Sequence, residues 1–275
     1  MKDSDSPKGA TDPIWVGLAD GLKSGWYVPG TGEVVTGFPV TAEDTVLDLG
    51  CGNGPSSLFC AKQGADVTFT DLLPEAVAEV EKAIAKVEAC DRYRGIVGDS
   101  NPLLVDDESM TRIMCCEVLE HVEDPAQVLG ELVRVGKPGA LYLLTVPGEA
   151  GEKMQQAFAL PEYFEAPNHI RIFSKDDFVS LVEGAGLEIE RYEAYGFFML
   201  FWMCMHWLII DEQIEEGSYT PALSETMIQP PFHQNIHHLA DMWKSILDMP
   251  KGLEFKKQMD QLLPKSQYVI ARKPG

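Results

Sequence analysis

Basic residues are scarce in this chain. Of 275 residues, 22 are Lys or Arg against 43 Asp or Glu, which leaves a formal net charge of −21 at pH 7. Binding nucleic acid depends on Lys and Arg neutralising phosphates, and the densest basic cluster is only Lys251, Lys256 and Lys257. RNA, DNA and an anionic membrane are therefore disfavoured as partners. Paired cysteines are missing too. The six, at 51, 60, 90, 115, 116 and 204, form no C-x-x-C, which reads as reduced core thiols in a cytoplasmic protein. Residues 1–13 are polar, with no apolar stretch of signal-peptide type. The longest apolar run, residues 197–210, is fourteen residues with His206 as its polar exception. A membrane helix takes about 20.

What is present begins at Val46-Leu47-Asp48-Leu49-Gly50-Cys51-Gly52-Asn53-Gly54. A short apolar run, an acid and three alternating glycines read as a buried parallel strand that ends in a tight, ligand-facing turn. Glycine supplies backbone conformations closed to other residues and lets a ligand approach closely. A dinucleotide site needs G-x-G-x-x-G, but position 55 is Pro55 and the third glycine comes one residue early, as Gly54. Asp48 at the turn would repel a pyrophosphate and attract an ammonium group. The turn thus favours a cationic ligand.

Further along, βα alternation is regular. Strands are expected at 45–49, 66–70, 93–97, 111–116, 140–146, 187–195 and 267–272, and helices at 55–63, 74–88, 125–135 and 174–182. Such alternation predicts an α/β fold with a doubly wound, mostly parallel seven-stranded sheet. A helical stretch from Pro13 to about Tyr27 precedes it, and about seventy residues separate the last two strands. The expected organisation is an N-terminal segment or lid (1–40), an α/β core (41–196), a helical lid insertion (197–264) and a last strand with the C-terminus (265–275). The run at 197–210 reads as a buried helix, the wall of an apolar pocket, or a dimer or membrane-surface contact, so the chain is a monomer or a homodimer through this insertion. His233, His237 and His238 read as surface histidines of the insertion.

The text D-L-G-C-G-N-G closely resembles motif I of the class I S-adenosylmethionine-dependent methyltransferases. That resemblance implies a Rossmann-like fold and S-adenosyl-L-methionine as cofactor. Asp48, Gly50, Cys51, Gly52, Asn53 and Gly54 would then form the cofactor turn, Asp71 with Leu72 would face the ribose side, and Asp99 with Ser100 the adenine amino group. Glu117 with Val118 would lie beside the methyl donor. These acids fall at successive strand ends, where ligands bind in an open α/β sheet.

Glu117-Val118-Leu119-Glu120-His121 sets two carboxylates and an imidazole at i, i+3 and i+4, one face of a helical turn. A second histidine, His169, lies in Asn168-His169-Ile170-Arg171. The text Cys116–Val122 resembles the ubiquinone-biosynthesis O-methyltransferases. It also resembles small-RNA 2′-O-methyltransferases, in which such a motif with a distant histidine holds a divalent metal. Three readings stay open: Glu117, Glu120, His121 and His169 hold a cation such as magnesium; His121 or His169, with Glu120, serves as a metal-free base; or Glu120 and His121 are structural helix-start residues. Trp26, Tyr27, Arg171, Phe198 and Trp202 are candidate contacts to the acceptor. The expected reaction is methyl transfer to a small molecule, at oxygen before nitrogen or sulfur. A protein or RNA methyltransferase and a non-catalytic cofactor-binding protein are the alternatives.

Overall fold

The strand Thr45–Leu49 shows why the sheet forms: four of its five residues are buried, as in a central parallel strand covered on both faces. In the computed structural model, residues 11–215 and 230–275 are described. The first ten residues of the polar N-terminus and 216–229 of the insertion lie outside them. In chain order the elements are α1 (Pro13–Lys23), β1 (Trp26–Val28), β2 (Glu33–Val35), β3 (Phe38–Pro39), β4 (Thr45–Leu49), α2 (Pro55–Lys62), β5 (Asp66–Asp71) and α3 (Pro74–Ile84). Then come β6 (Tyr93–Val97), β7 (Met110–Cys116), α4 (Pro125–Val135), β8 (Gly136–Pro147), α5 (Glu149–Gln155), a 3-10 turn (Pro161–Phe164), α6 (Lys175–Gly184) and β9 (Glu188–Tyr195). The chain closes with α7 (Phe197–Glu215), α8 (Gln234–Leu247), α9 (Gly252–Leu262) and β10 (Ser266–Arg272).

Local chemistry starts the helices where the sequence places them. Pro55, Pro74 and Pro125 occupy first-turn positions, where no backbone N–H is lost. Ser174 caps α6 by accepting the Asp177 N–H at 3.1 Å. The seven-stranded sheet runs β6-β5-β4-β7-β8-β10-β9, a mixed sheet flanked by helices as the alternation predicts. Chain order reverses between β4 and β7, and both pair in parallel with their neighbours. Such a switch point opens a crevice at the carboxyl ends of the strands.

Contacts divide the chain into two compact units. The sheet unit comprises Gly25–Pro147, Ala166–Glu193 and Gln267–Gly275. It includes a small antiparallel sheet β1-β2-β3, and the helical stretch expected to reach about Tyr27 ends at Lys23; strands of two or three residues are too short to show a period. The helical unit comprises the chain up to Ser24, Gly148–Glu165 and Ala194–Ser266. Residues 197–210 of its helix α7 are apolar apart from His206, and Asp211, Glu212 and Gln213 follow; among the described residues no helix is long and apolar enough to cross a membrane.

Phe198 and Trp202 are 1% and 2% exposed and pack with Val16, Ile236, Leu239 and Trp243 in the core of this helical unit. The buried-helix reading of the apolar run is therefore the one its packing supports. Two further expectations change here. His237 is buried, with Nδ1 3.3 Å from the Thr11 carbonyl, whereas the sequence suggested a surface position. Lys256 belongs to no surface basic cluster: it is 1% exposed and pairs with Asp20 at 2.9 Å and Asp260 at 2.7 Å. Trp243 Nε1 donates to Asp20, and the Phe197 N–H donates to Asp260. Burial holds the Asp20 carboxyl above its ordinary range, although Lys256 opposes the shift.

Removing one member of a buried ion group strands the others. Lys256→Met should cost about 3–5 kcal/mol in chemical denaturation at pH 7. The loss should shrink as the pH falls and the Asp20 carboxyl, which burial already holds above its ordinary range, takes up a proton.

Candidate active site

The register of the central strands sets the site. Leu49 pairs with Thr70 on β5 and with Cys115 on β7, so Gly50, Asp71 and Cys116 leave the sheet at one level. Gly50, Gly52 and Gly54 take φ of 71°, 49° and 74°, conformations that favour glycine. A Cβ on Gly50 would run into Val118 Cγ2, whereas a Cβ on Gly52 would meet nothing within 4 Å. The turn therefore touches the loop after β7 at Gly50 and is open at Gly52.

Asp71 fastens this turn to β5. Its Oδ2 accepts the Gly52 N–H at 2.9 Å and its Oδ1 accepts the Leu73 N–H at 3.0 Å. Each carboxylate oxygen keeps a further lone pair for a ligand hydroxyl. Leu72 is exposed beside it, and Asn53 is exposed on the turn, while Cys51 is buried. Asp71 pairs with Val97 on β6, two residues before Asp99, so both acids stand at the same sheet edge. Asp99 Oδ1 accepts the Ser100 N–H at 2.6 Å. Asp48 lies deeper, 3% exposed within β4, and accepts the Ser57 hydroxyl at 2.5 Å. Burial pushes its carboxyl up to about 6, against the pull of the Ser57 bonds.

Residues Glu117 to His121 form a turn and not the helical face read from their spacing. Glu117 has φ 55°, a left-handed conformation that is rare outside glycine. Thr145 on β8 holds it there: the Glu117 N–H lies 3.1 Å from both the carbonyl oxygen and the Oγ1 of Thr145, whose hydroxyl donates to Glu117 Oε1 at 2.9 Å. This backbone reversal turns Glu117 toward Thr145. Glu120, His121 and His169 are the ones brought together, with ligand atoms all within 4.8 Å of one another.

Two segments far apart in sequence build that trio. The Ile170 N–H donates to the Glu120 carbonyl at 3.1 Å, and His121 Nδ1 lies 3.1 Å from the Pro167 carbonyl. A carbonyl only accepts, so Nδ1 carries the hydrogen and Nε2 the lone pair. That Nε2 lies 3.8 Å from Oε1 of the fully buried Glu120. The His169 ring meets His121 edge-on at 5.0 Å. Burial first, then His169, pushes the His121 imidazole below its usual range.

The other candidates fall as follows. Arg171 Nη2 donates to the Glu123 carbonyl at 3.0 Å. Trp26 packs edge-on against Tyr268, and the Tyr27 hydroxyl meets Ser56 Oγ at 3.0 Å. His233 caps α8 by accepting the Asn235 N–H. Sequence reasoning passed over Ser56, Ser57 and Thr145. Thr145 had a signal, a polar residue inside a continuous apolar strand; the serines had only their place in the first turn after the glycines.

A family described as a methyltransferase domain matches residues 35–192, more than half of the chain. The chain belongs to this family. It carries the domain of the S-adenosylmethionine-dependent methyltransferases. The chain is 30% identical over 157 residues to norajmaline N-methyltransferase of Rauvolfia serpentina, covering 49% of this chain and 52% of that one. It is 29% identical over 157 residues to a ubiquinone biosynthesis O-methyltransferase of Xanthomonas euvesicatoria, covering 53% and 63%. The match thus spans between about half and two thirds of these relatives' length. A methyltransferase structure from Methanosarcina mazei shares the fold with a TM-score of 0.53 at 18% identity, over 86% of this chain and 94% of that one.

The residues present fit the methyl donor: an open glycine cradle at Gly52, and carboxylates at successive strand ends for a cationic ligand that carries two ribose hydroxyls. Asp48 makes this testable. Its proton is held up to about pH 6 in the free enzyme, and a cationic ligand favours the carboxylate, so binding expels that proton. S-adenosylmethionine affinity, read by calorimetry, should rise about five- to tenfold between pH 5 and pH 7. Asp48→Asn should flatten this rise.

Proposed function

We propose that this methyltransferase modifies an oxygen of a small-molecule acceptor, prepared by Glu120, His121 and His169. The carrying observation is the convergence of those three residues within 4.8 Å, one turn beyond the end of β7. Bound S-adenosylmethionine supplies a methyl group already activated on a positively charged sulfur, which leaves as a neutral thioether. The protein's part is an in-line approach and a place for the acceptor's proton.

In the metal-free form of the proposal, His121 or His169 takes the hydroxyl proton as the oxygen–carbon bond forms and the carbon–sulfur bond breaks. His121 enters this step with its lone pair on Nε2, and the Glu120 carboxylate 3.8 Å away offsets the imidazolium charge. The same residues fit a divalent cation such as magnesium, through one carboxylate oxygen and two ring nitrogens. Such a cation would lower the hydroxyl's pKa. The likeness to ubiquinone biosynthesis O-methyltransferases supports oxygen as the acceptor atom, and the net charge of −21 weighs against RNA. The norajmaline N-methyltransferase relative supports an amine as the second reading.

A panel of phenols, other hydroxyl compounds and amines with isotopically labelled S-adenosylmethionine separates these readings. Labelled methyl ethers are the expected product, and transfer to amines alone would overturn the proposal. His169→Ala and Glu120→Gln should lower kcat by about 10²- to 10⁴-fold and leave S-adenosylhomocysteine binding intact. Chelator distinguishes the two forms: activity lost and restored by a divalent ion supports the cation, and indifference supports the histidine base.

Asp71→Ala offers a separate check on the donor side. It removes both the ribose-facing acceptor and the Gly52 tether, and should weaken S-adenosylhomocysteine binding about tenfold or more. An unchanged affinity would remove Asp71 from the donor site.

A further inference from the structure

Tyr27 is strained, packed and placed at the donor turn. Its φ is 48°, an outlier for a bulky side chain. Such a backbone persists only where surrounding contacts fix it. Those contacts run the length of α2. The Tyr27 hydroxyl meets Ser56 Oγ in the first turn of α2 at 3.0 Å, and its ring lies 5.4 Å from Phe59 one turn on. At the far end, the Gly32 turn of the same hairpin is so close to Gln63 that an added Cβ would sit 3.2 Å from its side-chain oxygen. The β1–β2 hairpin therefore lies along α2, with the tyrosine hydroxyl at the end that carries the glycine turn.

Gly54 is the N-cap of α2 and Ser56 its second residue, so the tyrosine bond ends two residues from the glycine turn. The next residue, Ser57, holds Asp48. Two adjacent hydroxyls thus tie the start of α2 to different partners, one in the hairpin and one in β4. Burial raises the Tyr27 phenol above its usual range, and the nearby Cys116 and Asp48 add to this. Its bond to Ser56, two residues past Gly54, is what puts Tyr27 on the donor side of the switch point.

We propose that Tyr27 is a positioning residue for the methyl donor: its hydroxyl latches the hairpin to the first turn of α2 and holds the adjoining glycine turn in its binding form. This assigns Tyr27 to donor binding, whereas the sequence suggested contact with the acceptor. It rests on the methyl donor and not on the acceptor atom, so an amine acceptor would leave it standing.

S-adenosylhomocysteine binding to the full chain, read by calorimetry beside the melting temperature, tests it. Tyr27→Phe removes the hydroxyl alone and should weaken binding about two- to tenfold, the worth of one neutral hydrogen bond. Ser56→Ala should do the same from the other side, and Ser56→Thr should keep the wild-type affinity. The Tyr27→Phe/Ser56→Ala double variant should bind no more weakly than the weaker single, because both remove one shared bond. Unchanged affinity in Tyr27→Phe, or losses that simply add, would overturn the proposal. So would a lowered melting temperature at unchanged affinity, which marks a purely structural bond. Should Tyr27→Phe fail to fold, Ser56→Ala with Ser56→Thr decides the matter alone.

Discussion

The shared register of β4 with β5 and β7 is the constraint on which the donor side depends. Because Leu49 faces Thr70 on one side and Cys115 on the other, three loops leave the sheet at one level. A one-residue slip would exchange the two buried faces of β4, and the close packing of buried residues on both neighbouring strands forbids it. The glycine turn, Asp71 and Glu117 are therefore placed by core packing and only then adjusted by hydrogen bonds. The Asp71–Gly52 bond and the Thr145–Glu117 bonds are such adjustments, each fixing a loop against the strand beside it.

Much of this was legible in the sequence because it is written in local patterns. An apolar run marks β4, valine and phenylalanine alternating with threonine mark β5, prolines mark the starts of α2, α3 and α4, and Ser174 marks α6. The acids at strand ends followed from the same runs. What could not be read is what depends on backbone sign or on distant pairing. Spacing alone puts Glu117, Glu120 and His121 on one face, but the positive φ at Glu117 breaks the helical repeat between them. The contact of His121 with Pro167 spans 46 positions, and nothing near His121 announces it. The hairpin over α2 was missed because strands of two or three residues show no period. Burial of Lys256 was missed because a lysine reads as surface until its two aspartates are found, one of them 236 positions away.

Charge is spent differently in the two units. In the helical unit Lys256 is nearly inaccessible between Asp20 and Asp260, so the fold encloses an excess negative charge unless a proton is shared. Burial raises Asp20 accordingly. In the sheet unit the acids stand at strand ends within reach of a ligand. An acidic chain is thus compatible with a cationic cofactor and poorly matched to a polyanion.

The placement of those acids bears on turnover. Methyl transfer converts a sulfonium into a neutral thioether, so carboxylates around the donor favour it over the product. Yet a carboxylate against the sulfur would also stabilise the ground state, which lowers KM without raising kcat. The useful arrangement keeps negative charge at the ribose and adenine side and restrains it near the methyl group. In the proposed site Asp71 and Asp99 stand at the edge formed by β5 and β6, while Glu117, on the loop after β7, is bonded to Thr145. Asp48 holds a proton up to about pH 6 and so gains its full charge only in the neutral range or against a cation. The left-handed backbone at Glu117 is consistent with this division: it turns that carboxylate toward Thr145, and the proposed function leaves the acceptor to His121 and His169.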